Sequence, residues 1–203
     1  MAVCVNIQGN NKSSVGRIYC IMKNIWSAYK KIIRLVILIW IVFFLSRFFP
    51  INEYGIIPRS AGGLAGIFFA PFLHYDMVHI VENSIGLLAL GFFLVLMDQN
   101  RVYHTLVPVI LLGGTGTWLI GRSGSVHLGA SGVIFGILGY LVAAGLFRRD
   151  LKSVIISVAV LLLYGGMVIG VLPTVPHVSW ENHLCGFIAG VITASGNKAG
   201  KRK

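Results

Sequence analysis

The sequence predicts an all-α membrane protein built as a bundle of six transmembrane helices, and three observations carry that expectation. Of 203 residues, 56% are hydrophobic and only 11% charged, with a mean hydropathy of +0.83. One soluble core of this size cannot hide that much apolar surface. The apolar residues also gather into six runs near the ~20 residues that a helix needs to cross a bilayer, the fourth and sixth being the shortest. Finally, 14 of the 25 glycines fall inside these runs, as they do where membrane helices pack closely.

Residues 1–31 form a basic segment carrying Lys12, Arg17, Lys23, Lys30 and Lys31. Its first ten residues read as disordered, and 15–29 as a short helix on the cytoplasmic membrane surface. The basic stretch is long and no small-residue cleavage site follows the apolar run, so no signal peptide is expected. The helical domain occupies 32–194. Its first span is 32–50, with Arg34 and Arg47 near the ends, where long side chains snorkel to the headgroups. Residues 51–76 form a loop with Pro58, Gly62, Gly63, Gly66 and Pro71. Its apolar pieces predict that it dips into the outer leaflet beside the bundle, because irregular backbone at that depth must be sheltered by protein. The remaining spans are 77–97, 103–120, 131–147, 153–172 and 181–194, the last preceded by a rigid loop over 173–180. Residues 195–203 form a basic cytoplasmic tail.

The net charge of +11 does not point to nucleic acid, because the basic residues flank apolar segments. With both termini cytoplasmic, only Arg47, Arg59 and Arg122 of the 17 Lys and Arg residues lie on the outer side, so the orientation is strongly determined. Cys4, Cys20 and Cys185 show no metal-ligand spacing, and no disulfide is expected. The absence of an organelle presequence points to a bacterial inner membrane, while the basic amino end leaves an organellar membrane open.

Candidate chemistry begins at Gly129-Ala130-Ser131-Gly132, where a polar loop turns into the fourth span. Ser131 falls in the first helical turn, where backbone N–H groups lack intrahelical partners and the dipole presents partial positive charge. That position suits a nucleophile whose intermediate is an oxyanion, although small residues there also serve close helix packing. In the second span, His79 and Asn83 lie one turn apart on a face continued by Gly86. Polar side chains at this depth face the bundle or a wet cavity, and interhelical hydrogen bonding accounts for the pair equally well. Glu82 and Ser84 share the helix, and Glu82 is expected to pair with a neighbouring polar group.

His183 opens a stripe continued by Gly186 and Gly190, and the fourth span has a matching stripe in Gly132, Gly136 and Gly139. Packing these faces together sets His183 beside Ser131. A serine needs a base within about 2.6 to 3.2 Å, and neutral histidine serves near pH 7. No inward carboxylate completes a triad, so a dyad oriented by helix packing is expected, with a third group left open. Asn83 is then placed to donate an amide N–H to the oxyanion. His127 and His177 read as solvated or interfacial, and His104 as cytoplasmic. Ser123, Ser125 and Ser179 are loop serines with no partner evident. Trp26, Trp40, Trp118 and Trp180 read as core or interface anchors.

Taken together, residues 32–194 resemble the rhomboid intramembrane serine proteases. Gly129-x-Ser131-Gly132 is similar to that family's nucleophile motif, His183-x-x-Gly186-x-x-x-Gly190 to its histidine and glycine motif, and His79-x-x-x-Asn83 to its second-span motif, in the family's order. The resemblance implies a six-helix rhomboid-like bundle with a partly membrane-embedded first outer loop. It implies a serine endopeptidase in which Ser131 is the nucleophile and His183 the general base and acid. Asn83, His79 and the Ser131 backbone N–H would hold the oxyanion. Gly129, Phe135 and His74 would line the site, Phe135 stacking near His183 and His74 helping retain water. Implied partners are transmembrane protein substrates and the lipid bilayer; no metal or organic cofactor is implied, and the oligomeric state is left open.

The chain departs from the family where a Trp-Arg pair is frequent, reading Gly62-Gly63-Leu64-Ala65-Gly66-Ile67. That leaves open how the first outer loop is anchored and how it gates access. The chain resembles a minimal core, without the soluble amino-terminal domain or seventh span of some members. Two other classes compete. A non-catalytic protein of the same fold would bind membrane helices without cutting them, but inactive relatives typically lose the serine or the histidine, and both are present. A small transporter would be expected to show an inverted repeat of its halves, which this sequence does not display.

Overall fold

A computed structural model of the chain describes residues 14–173 and 178–196, which are largely helical. Their α-helices are α1 (Ser14–Leu45), α2 (Gly66–Phe69), α3 (Met77–Met97), α4 (Val102–Ile120), α5 (Ser131–Arg148), α6 (Leu151–Tyr164) and α7 (Trp180–Gly196). Short 3-10 turns occur at Ile51–Tyr54, Ala61–Gly63 and Ala70–Phe72, and a longer one, Gly165–Val171, continues α6. Among the described residues the only strand-like pairing is an isolated antiparallel bridge between Ile56 and His127. The expectations for residues 1–10, for His177 and for the basic tail from 197 onward fall outside the described residues.

Among the described residues four helical segments are long and apolar enough to cross a membrane: Met77–Met97, Val102–Ile120, Ser131–Arg148 and Leu151–Val171. The predicted count of six is not met on this criterion, for two local reasons. α1 has 32 residues, but Lys30, Lys31 and Arg34 break into its apolar stretch. α7 has only 17 residues and opens on Trp180-Glu181-Asn182-His183. α1 also runs unbroken through residue 31, so the expected surface helix and first span are one element. Cys20 is disulfide-bonded, contrary to expectation, because the inferred compartment and spacing do not report which thiols meet; Cys185 is free and buried.

Polar residues set the helix boundaries. Asp76 caps α3 by accepting from the His79 N–H at 2.8 Å, and Asp150 caps α6 by accepting from the Ser153 N–H at 3.0 Å; each satisfies an orphan donor of a first turn. Arg149, in the left-handed conformation with φ 55°, ends α5. At the end predicted to be cytoplasmic, Asp98 holds Arg148 at 3.2 Å and Arg101 at 3.3 Å, joining the α3–α4 turn to the end of α5. α1 is tied to α3 by Tyr29 Oη donating to the Leu88 carbonyl and Trp40 Nε1 donating to Ser84 Oγ.

α5 lies at the centre, enclosed by α3, α4, α6 and α7. Its contact with α7 follows the predicted glycine stripes. A Cβ on Gly186 would strike the Gly132 carbonyl, and one on Gly190 would strike the Gly136 carbonyl. Backbone therefore rests on backbone, the closest approach two helices can make.

The first outer loop folds against α4 despite the missing Trp-Arg pair. Arg59 Nη1 donates to the Leu119 carbonyl at 2.8 Å and Nη2 to Ser123 Oγ at 2.5 Å. Trp118 Nε1 donates to the Ser60 carbonyl at 2.9 Å. Leu64, Phe68 and Phe69 are left exposed on the loop, an apolar surface for a sequence expected to meet lipid.

Candidate active site

Ser131 is the first residue of α5, and the two residues before it shape the turn that presents it. Gly129 has φ 109°, a conformation that L side chains rarely adopt. A Cβ there would also lie 2.6 Å from the His79 ring, so only glycine fits at this point. The Gly129 N–H donates to the Ala70 carbonyl at 2.8 Å, hanging the serine turn on the first outer loop.

α3 supplies the opposite wall. Asn83 is buried, and its Nδ2 donates one N–H to the His79 carbonyl at 2.7 Å, leaving the second amide hydrogen for another acceptor. The His79 ring packs against the His74 ring with centroids 4.9 Å apart. His74 is fully buried behind the turn rather than in the cavity: Nδ1 lies 3.4 Å from the Phe72 carbonyl, and Nε2 accepts from the Ala130 N–H at 3.5 Å. A carbonyl only accepts, so the proton sits on Nδ1 and the ring is neutral. Burial first, then the neighbouring His79, pushes the His74 pKa down to about 4.

The stability that follows from a neutral His74 is fully present above the unfolded value near 6.5. It is lost as pH falls from there toward 4, about 3 kcal/mol in all. We expect thermal stability to fall between pH 7 and 5, and a thermal-melting series to show a shallower acid slope in His74→Asn. An unchanged slope would mean that His74 is not held neutral.

From α7, His183 reaches the cavity that Ser131 lines. Its Nδ1 lies 2.9 Å from the Gly170 carbonyl in the 3-10 extension of α6. That acceptor requires Nδ1–H, which leaves the Nε2 lone pair free to take a proton. The Phe135 ring stacks on the imidazole with centroids 4.1 Å apart and planes 8° from parallel. Its orientation is thus set by a carbonyl, a ring and the helix. Among the described residues no hydrogen bond joins Ser131 Oγ to His183; base catalysis requires that contact to close to about 2.6 to 3.2 Å, and it often tightens only with substrate bound.

Ser131, His183, His79, Asn83 and Phe135 line one cavity of about 760 Å³, bounded also by Glu82, Met167 and Ser179. Of the residues singled out from sequence, Gly129 and His74 stand behind this wall. Sequence reasoning missed Gly170, whose carbonyl holds His183, and Asn182, whose Oδ1 accepts from Thr117 Oγ1 at 3.2 Å under Gly132. It also missed the buried Glu181, which pairs with Arg122 at 2.7 Å. His127 is buried rather than solvated: it bonds Ser125 Oγ at 2.9 Å and Ser179 Oγ, and its backbone pairs with Ile56. Both serines therefore have a partner, on a histidine that joins three outer loops. Among the described residues no group of three His, Cys, Asp or Glu side chains is placed to hold a metal ion.

Fold and site together define a polytopic helical membrane protein in which a serine and a histidine reach one cavity from two helices packed glycine on glycine. A model of the family described as Rhomboid domain matches residues 61–196, and the chain belongs to the rhomboid family, one of intramembrane proteases. An uncharacterized protein of Mycobacterium tuberculosis is 43% identical over 157 residues, which cover 73% of this chain and 65% of that protein. One of Mycobacterium leprae is 45% identical over 148 residues, 69% of this chain and 59% of that protein. The chain thus spans less than two thirds of the length of these mycobacterial relatives. A protein of Acanthamoeba polyphaga mimivirus that carries the rhomboid name is 28% identical over 166 residues, 78% of this chain and 85% of its own.

Proposed function

We propose that the chain is an intramembrane serine endopeptidase that cleaves peptide bonds in or next to transmembrane segments of other proteins. The observation that carries this reading is the setting of His183: Nδ1 bound to the Gly170 carbonyl, ring stacked on Phe135, and the cavity shared with Ser131. A neutral imidazole with its basic nitrogen free is what a weak hydroxyl nucleophile needs, and no carboxylate is required to fix the tautomer.

In this mechanism Ser131 Oγ attacks the scissile carbonyl carbon while Nε2 of His183 takes the hydroxyl proton. The free amide hydrogen of Asn83, the His79 ring and the Ser131 backbone N–H at the head of α5 hold the oxyanion, each such donor contributing up to about 3 to 4 kcal/mol. His183 then gives its proton to the leaving amine, and water attacking the acyl-serine reverses the roles. A helical substrate hides its amide bonds, so the target segment must unwind locally. The topology that fits is six spans with α1 and α7 completing the bundle, both termini cytoplasmic and Ser131 open to the outer face of a bacterial inner membrane.

The test is covalent labelling of the purified protein in mild detergent by a fluorophosphonate, alongside cleavage of a reporter transmembrane substrate in lipid. Labelling and cleavage by the wild type, both lost in Ser131→Ala, are expected. A folded wild type that labels no more than Ser131→Ala and cuts nothing would favour a non-catalytic helix-binding protein.

A further inference from the structure

Glu82 is an exposed carboxylate in the second turn of α3 and lines the same cavity as Ser131 and His183. By the 1.5 Å rise per residue it lies about 7.5 Å along the helix from Met77. The side chains beside it on α3, Val78, Val81 and Ile85, are exposed and apolar, the composition of a lipid-facing surface. A carboxylate at such a depth is expensive unless it is wet or paired, and it marks a functional position by default. The neighbouring polar group that Glu82 interacts with is His79, while among the described residues no Lys or Arg forms an ion pair with it. Among the described residues the cavity lining contains no Lys or Arg, while Asp76 adds a second carboxylate. Oδ1 of Asp76 is taken up in capping α3, which leaves Glu82 as the cavity carboxylate that caps no helix and has no basic partner.

We propose that Glu82 sets the substrate class: the site takes transmembrane segments that carry a Lys or Arg in their outer half, and the basic group pairs with Glu82 as the segment unwinds toward Ser131. This inference rests on the protease reading. A basic side chain is costly in lipid, so it weakens its own span and favours the wet cavity, and its long stem reaches a carboxylate while the backbone stays at the serine. The preference then comes from compensating two charges that are each unfavourable alone.

The experiment uses the full chain in lipid nanodiscs and two labelled transmembrane peptides that differ only in Lys or Leu at one outer-half position. In Ser131→Ala, which binds without cutting, the Lys peptide is expected to bind about tenfold tighter than the Leu peptide, the size of a partly desolvated charge pair. In Ser131→Ala/Glu82→Gln that ratio is expected to fall to about one. The isosteric change at an exposed position keeps the fold, which thermal melting verifies. In the Ser131 protein, kcat/KM is expected to show the same ratio and the same loss. A ratio near one in Ser131→Ala, or one that survives Glu82→Gln, overturns the inference even if both peptides are cut, and the protease reading then stands. If the ratio appears and is lost as expected but neither peptide is cut, the protease reading fails and Glu82 remains the recognition group.

Discussion

Replacing His183 with alanine is expected to lower turnover of a transmembrane reporter substrate by about 10⁴-fold or more, with the protein still folded. The magnitude follows from the position of the imidazole. Without a base, the Ser131 hydroxyl attacks as a neutral alcohol, and no group remains to protonate the leaving amine; removing either member of such a pair costs nearly as much as removing both. The residual rate would come from the oxyanion donors and from binding. Ser131→Ala should therefore match His183→Ala within a few-fold, and the double variant should fall little further. Additive losses would mean that the two residues do not act as a unit. Folding is expected to survive because the His183 side chain hangs on one carbonyl and one ring, while the glycine stripe on the same helix holds α7 in place.

Gly186→Val is expected to destabilise the protein by about 3 kcal/mol or more and to abolish cleavage. A Cβ at this position would meet the Gly132 carbonyl and, at 3.1 Å, the Gly132 Cα. These are backbone atoms, which cannot swing aside as the end of a side chain can, so the helices must part. Overpacking costs about 1 to 3 kcal/mol where side chains are the obstacle, and backbone on both sides places this substitution at or beyond the upper end. Activity should fall even in molecules that fold, because Gly186 lies one turn from His183, and a shift of about 1 Å at a reacting group costs about 100-fold. Gly196→Ala on the same helix, where a Cβ meets nothing within 4 Å, is the matched control and should be neutral. Thermal unfolding in detergent with parallel cleavage assays distinguishes the two; an unchanged midpoint for Gly186→Val would show that α5 and α7 are not in backbone contact.

Much of this molecule could be read from one dimension. Hydropathy reports which segments are apolar enough to enter a membrane, because the bilayer imposes that constraint on each segment separately. The stripes at Gly132, Gly136 and Gly139 and at Gly186 and Gly190 state which faces of α5 and α7 meet, since small residues at helical spacing have one geometric use in lipid. Ser131 and His183 stand at the heads of those stripes, so their approach to one cavity was already implicit.

Other features required the tertiary structure. The partner of His183 is the carbonyl of Gly170, and every residue has a carbonyl, so no side-chain pattern could mark it. His127 reads from sequence as solvated or interfacial because it lies in a loop, yet loops from three parts of the chain close over it. The anchor of the first outer loop, Arg59 on Leu119 and Ser123 with Trp118 on Ser60, likewise depends on which backbone groups a folded loop leaves open. Local sequence determined the helices, their faces and the residues able to do chemistry. Only long-range packing decided which backbone groups hold those residues in place, because hydrogen bonds to the main chain are identical in kind along the whole chain and differ only in where the fold puts them.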